Sequence, residues 1–161
     1  MIDVITLGVV LLVVIAVFLR KTSAGVAVLS LLAGVMLDQL LGSWLIGLLP
    51  EQASSLSEYV PVVVHLLVTF TPVVASIVAV KVARHNMVLS VLTSLTLGFL
   101  IVFFGLKIVA LLPFVSEAAS NAGLLTFIAP YQNTVLAVSA VLAVIEMIMS
   151  HQSGIIDKKK K

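Results

Sequence analysis

The sequence predicts an all-α protein: a polytopic transmembrane helix bundle of about five spans, with the N-terminus outside the membrane and the C-terminus in the cytoplasm. Three observations carry this reading. Hydrophobic residues make up 61% of the 161-residue chain, charged residues only 10%, and the mean hydropathy is +1.30, whereas a soluble domain carries roughly 25% charged residues. The apolar residues collect into long runs rather than into short amphipathic stretches. The Lys and Arg residues sit almost entirely in the gaps between alternate runs and at the C-terminal end.

The first run, Ile2 to Leu19, is long enough to cross a hydrocarbon core of about 30 Å at roughly 1.5 Å per residue. Asp3 precedes it and Arg20 and Lys21 follow it. A cleaved signal peptide has the reverse polarity, so the segment is expected to be retained with its N-terminus outward. The second run spans Gly25 to Leu49 and ends at Pro50, and the polar stretch from Glu51 to Tyr59 reads as a loop. The third run, 60–80, stops at the basic cluster Lys81, Arg84 and His85; the fourth, 87–112, stops at Pro113. After a polar piece, residues 124–131 are apolar but contain Pro130 and end at Tyr131, Gln132 and Asn133. This segment reads as interfacial, with a re-entrant turn as the alternative. The fifth span is placed at about 133–150, followed by a basic tail at 157–161.

Orientation follows from the basic residues, because short loops carrying Lys and Arg stay on the cytoplasmic side. With five spans, Arg20, Lys21, Lys81, Arg84 and the four lysines Lys158 to Lys161 all lie inside, leaving only Lys107 of the nine elsewhere. Four spans would place the lysine tail outside, so the charge pattern supports the fifth helix independently of its hydropathy. The predicted localisation is the inner (plasma) membrane, with the lipid bilayer as the main partner. The net charge of +2 and the confinement of the lysines to one tail leave no basic face for a nucleic acid. The chain has no cysteine, which removes thiolate metal sites and thiol catalysis.

Helices in lipid associate where small residues let their backbones approach. Three spans carry such residues at i+4 spacing, on one face of a helix. They are Ser30, Gly34, Asp38 and Gly42 in the second span, Thr71, Ala75, Ala79 and Ala83 in the third, and Ser90, Ser94 and Gly98 in the fourth. These faces are expected to build the packed core, although small residues are common in any membrane helix. Ile2 and Asp3 opening the first span, Arg20, Lys21 and Gly25 after it, Leu29 to Gly34 and the Ser90, Ser94, Gly98 series together resemble the colicin V production protein family of bacterial inner-membrane proteins. A competing resemblance, through Gly34, Asp38, Gly42 and Ser43, is to the rod-shape-determining membrane protein family. The first resemblance covers about Met1 to Leu112 and implies a protein linked to export, envelope stress or channel-like permeation, without an enzymatic reaction.

Few residues are placed to carry chemistry. Asp38 lies well inside the second span, where a carboxylate costs about 2.5 to 3.5 kcal/mol on insertion scales and needs protein or water around it. Lys107 in the fourth span is the expected partner, with snorkelling to the headgroups as its alternative. A protonated, hydrogen-bonded carboxyl is the alternative for Asp38. His65, Thr69, Pro72 and Ser76 share one side of the third span, where Pro72 is expected to kink the helix. That polar face either lines a water-filled path or merely repairs the proline-broken hydrogen bonding. Glu146, near the inner end of the fifth span, is expected to reach interfacial water or Arg84. His65, His85 and His151 fall at different depths, so no metal and no cofactor is expected. No nucleophile triad, phosphate loop or nucleotide fingerprint is visible, and no enzyme is predicted. Two functions fit: a small homo-oligomeric channel-like or export-related permeation protein, and an accessory subunit docking onto a larger membrane partner.

Overall fold

The structure, a computed structural model, describes residues 2–20, 23–48, 59–79, 87–112 and 129–158. Five helices account for nearly all of them: α1 (Ile2–Arg20), α2 (Ala24–Gly47), α3 (Val60–Ala79), α4 (Met87–Val109) and α5 (Gln132–Lys158), the last preceded by a single 3-10 turn, Ala129–Tyr131. Four stretches are long and apolar enough to cross a membrane: Ala24–Gly47, Val60–Ala79, Val88–Val109 and Gln132–Met149. The basic clusters after α1 and α3, the loop at 51–58 and the segment 113–128, including most of the expected interfacial stretch, lie outside the described residues.

The helix ends follow local chemistry. Ser23 has an extended backbone and caps α2, its Oγ accepting from the Val26 N–H at 3.4 Å, which satisfies one of the donors that every helix start leaves open. Pro61 occupies the first turn of α3, where the missing N–H costs nothing. Helix α2 stops three residues before Pro50, and α4 gives way to a turn through Leu112 just before Pro113. Proline cannot continue either helix, which is why the sequence placed these two boundaries within a turn. Helix α5 begins directly after the Pro130 turn and continues to Lys158, past the end of the apolar stretch and into the basic tail, because nothing between Ser150 and Lys158 except Gly154 interrupts a helix.

Helix α2 touches α3, α4 and α5, while α1 packs mainly on α4. The α2 and α4 helices therefore form the centre, with α1, α3 and α5 around them. The main core joins Val17 of α1, Ala24, Ala27, Val28 and Leu31 of α2, Val73 of α3, Leu97, Leu100, Phe103 and Phe104 of α4 and Ala143 of α5. A smaller cluster of Val62, Ile108 and Leu112 closes the α3–α4 contact. Leu12, Met36, Leu40 and Val88 face outward, as residues of a bundle surrounded by lipid do.

Close helix approach depends on two of the three small-residue faces. A Cβ at Gly34 would run into the Thr69 carbonyl of α3, and one at Gly98 would lie 2.9 Å from the Val10 side chain and 3.2 Å from its backbone. Ser90, Ser94 and Gly98 are all buried, and Ser30 is half-buried at the edge of the α2 face. The third face behaves differently: Thr71, Ala75 and Ala79 point outward. Helix α3 instead turns Val62, Thr69 and Val73 into the bundle, Val62 against Ile108 and Leu112 of the α4 side and the Thr69 backbone against Gly34.

Gly34→Ala is expected to destabilise the protein by about 1 to 3 kcal/mol, since the added methyl meets backbone that cannot move away alone. Gly8, whose Cβ would meet nothing within 4 Å, should tolerate alanine with no loss or a gain of up to about 1 kcal/mol from helix propensity. Unfolding of both variants in mixed micelles measures the contrast, and equal effects would show that helix propensity rather than the α2–α3 approach controls position 34.

Candidate functional site

Asp38 and His65 meet at the α2–α3 contact. Along α2, one step of four residues leads from Gly34 to Asp38; along α3, the matching step back leads from Thr69 to His65. The helices run antiparallel in a fixed register, and the glycine–carbonyl contact at one level sets the acid against the imidazole at the next. His65 Nδ1 lies 2.7 Å from Asp38 Oδ1, within the range of a strong charge-assisted hydrogen bond. With the carboxylate ionised, Nδ1–H donates and Nε2 is left as the open nitrogen.

Gly42 completes the arrangement. It lies one turn beyond Asp38 on the same face of α2, and a Cβ there would be 2.9 Å from Asp38 Oδ1, 2.9 Å from His65 Cε1 and 3.0 Å from His65 Nδ1. The pair therefore occupies space that any other residue at 42 would fill. The side chains are not sealed from outside: His65 retains 22% of its side-chain surface and Asp38 17%. At about 1.5 Å per residue, Asp38 is about 13 Å along the axis from the Gly47 end of α2, and His65 about 8 Å from the start of α3. Both depths lie within the apolar stretches.

The structure corrects the expected partner of Asp38, which is His65 rather than Lys107. Lys107 Nζ donates to Gln132 Oε1 at 2.9 Å, which ties α4 to the start of α5, and lies 5.5 Å from the centroid of the Phe103 ring one turn back on its own helix, a cation–π contact. Lys107 was matched to Asp38 by depth alone. The sequence clue to the true partner was connectivity, because helices joined by a short loop pack side by side, and Asp38 and His65 flank the same loop.

Thr69, expected beside His65 on a polar path, is 1% exposed and lies in the helix contact under Gly34. The remaining hydroxyls of α3 bond within their own helix: Thr71 to the Leu67 carbonyl at 2.5 Å and Ser76 to the Val73 carbonyl at 2.8 Å. Neither reaches the Val68 carbonyl, whose helical donor Pro72 removes, and α3 remains one helix through Pro72. Glu146 is buried, its carboxylate beside Gly25 in the first turn of α2; Arg84, its expected alternative partner to interfacial water, lies outside the described residues. A helix N-terminus favours a negative charge at that position. Among the described residues no three His, Asp or Glu side chains converge as metal ligands.

No protein-family model, curated protein or solved structure matches the chain.

A double-mutant cycle should give a coupling energy of about 1 to 3 kcal/mol for Asp38→Ala with His65→Ala, the range of residues in direct contact. Asp38→Ala with Lys107→Ala should be additive within about 0.5 kcal/mol. Stability measured in detergent distinguishes the two, and comparable coupling in both cycles would reject the partner exchange.

Proposed function

We propose that the chain is a five-span protein of the inner membrane, N-terminus outside and C-terminus in the cytoplasm, that assembles with copies of itself into a small permeation protein for cations. The single observation carrying this reading is the Asp38–His65 pair, held at membrane depth and partly open at the outer surface of one bundle. Hydrocarbon cannot solvate a carboxylate, and ionisable residues within spans face protein or a water-filled cavity. The open sector of the pair is therefore covered by another copy, by water, or by both, and a ring of such pairs supplies the polar lining that five short helices cannot enclose alone.

The topology has its own support. Helix α1 is apolar over most of its 19 residues and supplies the odd span that the lysine distribution calls for. Trp44 near the end of α2, Tyr59 at the start of α3 and Tyr131 just before α5 are all exposed, and the alternation of the helices brings all three to the same end of the bundle. Aromatic side chains with a polar edge collect at the membrane–water boundary. In this topology that end is the outer one, and Lys107 lies near it. The resemblance to colicin V production proteins is compatible with permeation and forms part of the proposal.

The exposed Thr71, Ala75 and Ala79 face of α3 favours a second reading, an accessory subunit that docks this face onto a larger membrane partner.

Because the chain has no cysteine, single cysteines report topology directly. Ser57→Cys should react with an impermeant maleimide from outside intact cells, and Ser153→Cys only after permeabilisation; the reverse pattern, or both on one side, overturns the five-span arrangement. Native mass of the complex in nanodiscs should show an oligomer, and planar bilayers should carry a current that Asp38→Asn reduces. A monomer without current would favour the accessory subunit.

A further inference from the structure

We infer that the species carried at the α2–α3 contact is the proton, with Asp38 and His65 acting as one proton-binding unit; this rests on the permeation reading above. The geometry separates a proton from a metal cation. Hard cations take six or more oxygen ligands, and channels that pass dehydrated ions replace the hydration shell with rings of backbone carbonyls. Here one carboxylate and one imidazole converge, and among the described residues no third acidic, histidine or cysteine ligand joins them. The backbone at this level of α2 and α3 is helical, and the Val68 carbonyl, left by Pro72 without its helical donor, is a single carbonyl rather than a ring. The two side chains are already in contact at 2.7 Å, and Gly42 presses its backbone so close that even a methyl group would collide with both. An ion between them would have to force the pair apart. A proton needs no volume.

The chemistry suits the pair. Imidazole is the side chain that changes charge within the physiological pH range, and coupled groups take up protons as a unit rather than as two independent sites. With Asp38 ionised and His65 neutral the pair carries one negative charge. Hydronium arriving at the open side gives its proton to His65 Nε2: an N–H bond forms, an O–H bond of hydronium breaks, water leaves, and the pair becomes neutral overall. Transfer of the Nδ1 proton to Asp38 Oδ1 along the existing hydrogen bond and its loss to water on the other side restore the starting charge; water then takes the remaining ring proton from Nε2 and returns one to Nδ1, which restores the starting tautomer and its hydrogen bond to Asp38. No electron changes hands. The proton-loaded state is neutral overall, and the resting state carries one negative charge that needs water or a neighbouring copy at its open side.

Other ionisable groups on the surrounding helices are directed elsewhere. On α3, Tyr59 lies at the helix start; on α4, Lys107 is bound to Gln132; on α5, Glu146 lies at the opposite end of α2, beside Gly25.

The test uses the full chain in proteoliposomes, with a pH-sensitive dye inside and K+ and Na+ fluxes followed in parallel. Wild type should dissipate an imposed pH difference, while its K+ and Na+ fluxes should match those of protein-free vesicles. Asp38→Asn and His65→Gln should each lower proton flux by about a hundredfold, the lower end of what a proton-transferring side chain contributes, and Gly42→Ala should lower it as well. Thr96→Ala, which removes only a bond to the Leu92 carbonyl within α4, should leave the flux unchanged. Acid-induced infrared difference spectra on the wild type give a readout independent of variant folding: a carboxylic-acid band should appear on acidification and be absent in Asp38→Asn. K+ or Na+ flux as fast as proton flux would overturn the inference and leave the permeation reading intact. No flux of any of the three would overturn both. Full proton flux in Asp38→Asn and His65→Gln, or no Asp38-dependent infrared band, would remove the pair as the carrier.

Discussion

Polar side chains surrounded by hydrocarbon must find their partners within the protein, and this constraint runs through every helix of the bundle. Thr93 bonds to the Leu89 carbonyl at 2.7 Å, Ser94 to Ser90 at 2.7 Å, Thr96 to Leu92 at 2.9 Å and Ser139 to Val135 at 2.6 Å. Each hydroxyl folds back onto the preceding turn of its own helix, so it adds little to helix association. Ser90 Oγ, buried at the α4 face, is an exception without a hydrogen-bond partner among the described residues. The Asp38–His65 contact is different in kind because its two halves come from different helices. It fixes both the depth and the register at which α2 and α3 meet.

The glycines make that contact possible. With Gly34 against the Thr69 carbonyl and Gly42 over the pair, the backbone of α2 approaches α3 more closely than any larger residue would allow. Association in lipid comes from dispersion contacts and interhelical hydrogen bonds rather than from expulsion of water. Both fall off steeply with separation. The same logic recurs at Gly98 against Val10, and at Gly25, where a Cβ would lie 2.6 Å from the Ala143 carbonyl oxygen. Glycine contacts thus join each outer helix to the central pair: Gly98 meets α1, Gly34 and Gly42 meet α3, and Gly25 meets α5.

Much of this was legible in the sequence, and the reasons are physical. Five apolar runs bounded by prolines and charges gave the helices, because hydrocarbon thickness and proline chemistry act locally. The i+4 face of Gly34, Asp38 and Gly42 identified the buried side of α2, and Ser90, Ser94 and Gly98 that of α4. Residue size failed on α3, where Thr71, Ala75 and Ala79 turned outward, since one glycine on α2 already allows the close approach and the α3 side of the contact is the Thr69 backbone. Depth failed for Asp38, because several polar groups lie at similar levels and only the packing order selects among them. Glu146 was placed by its distance from the helix end, and its burial beside Gly25 could not be read without knowing that α5 lies against the start of α2.

The unbroken course of α5 has an electrostatic consequence. From Glu146, beside the first turn of α2, to Lys158 the helix continues without a break, a rod of roughly 18 Å. Charges near a membrane feel the anionic lipid surface only within a Debye length, about 8 Å at physiological ionic strength. Along a continuous helix the backbone at residue 158 is held at a set distance from the packed core. The tilt of α5 then sets how far from the lipid surface that end of the helix stands.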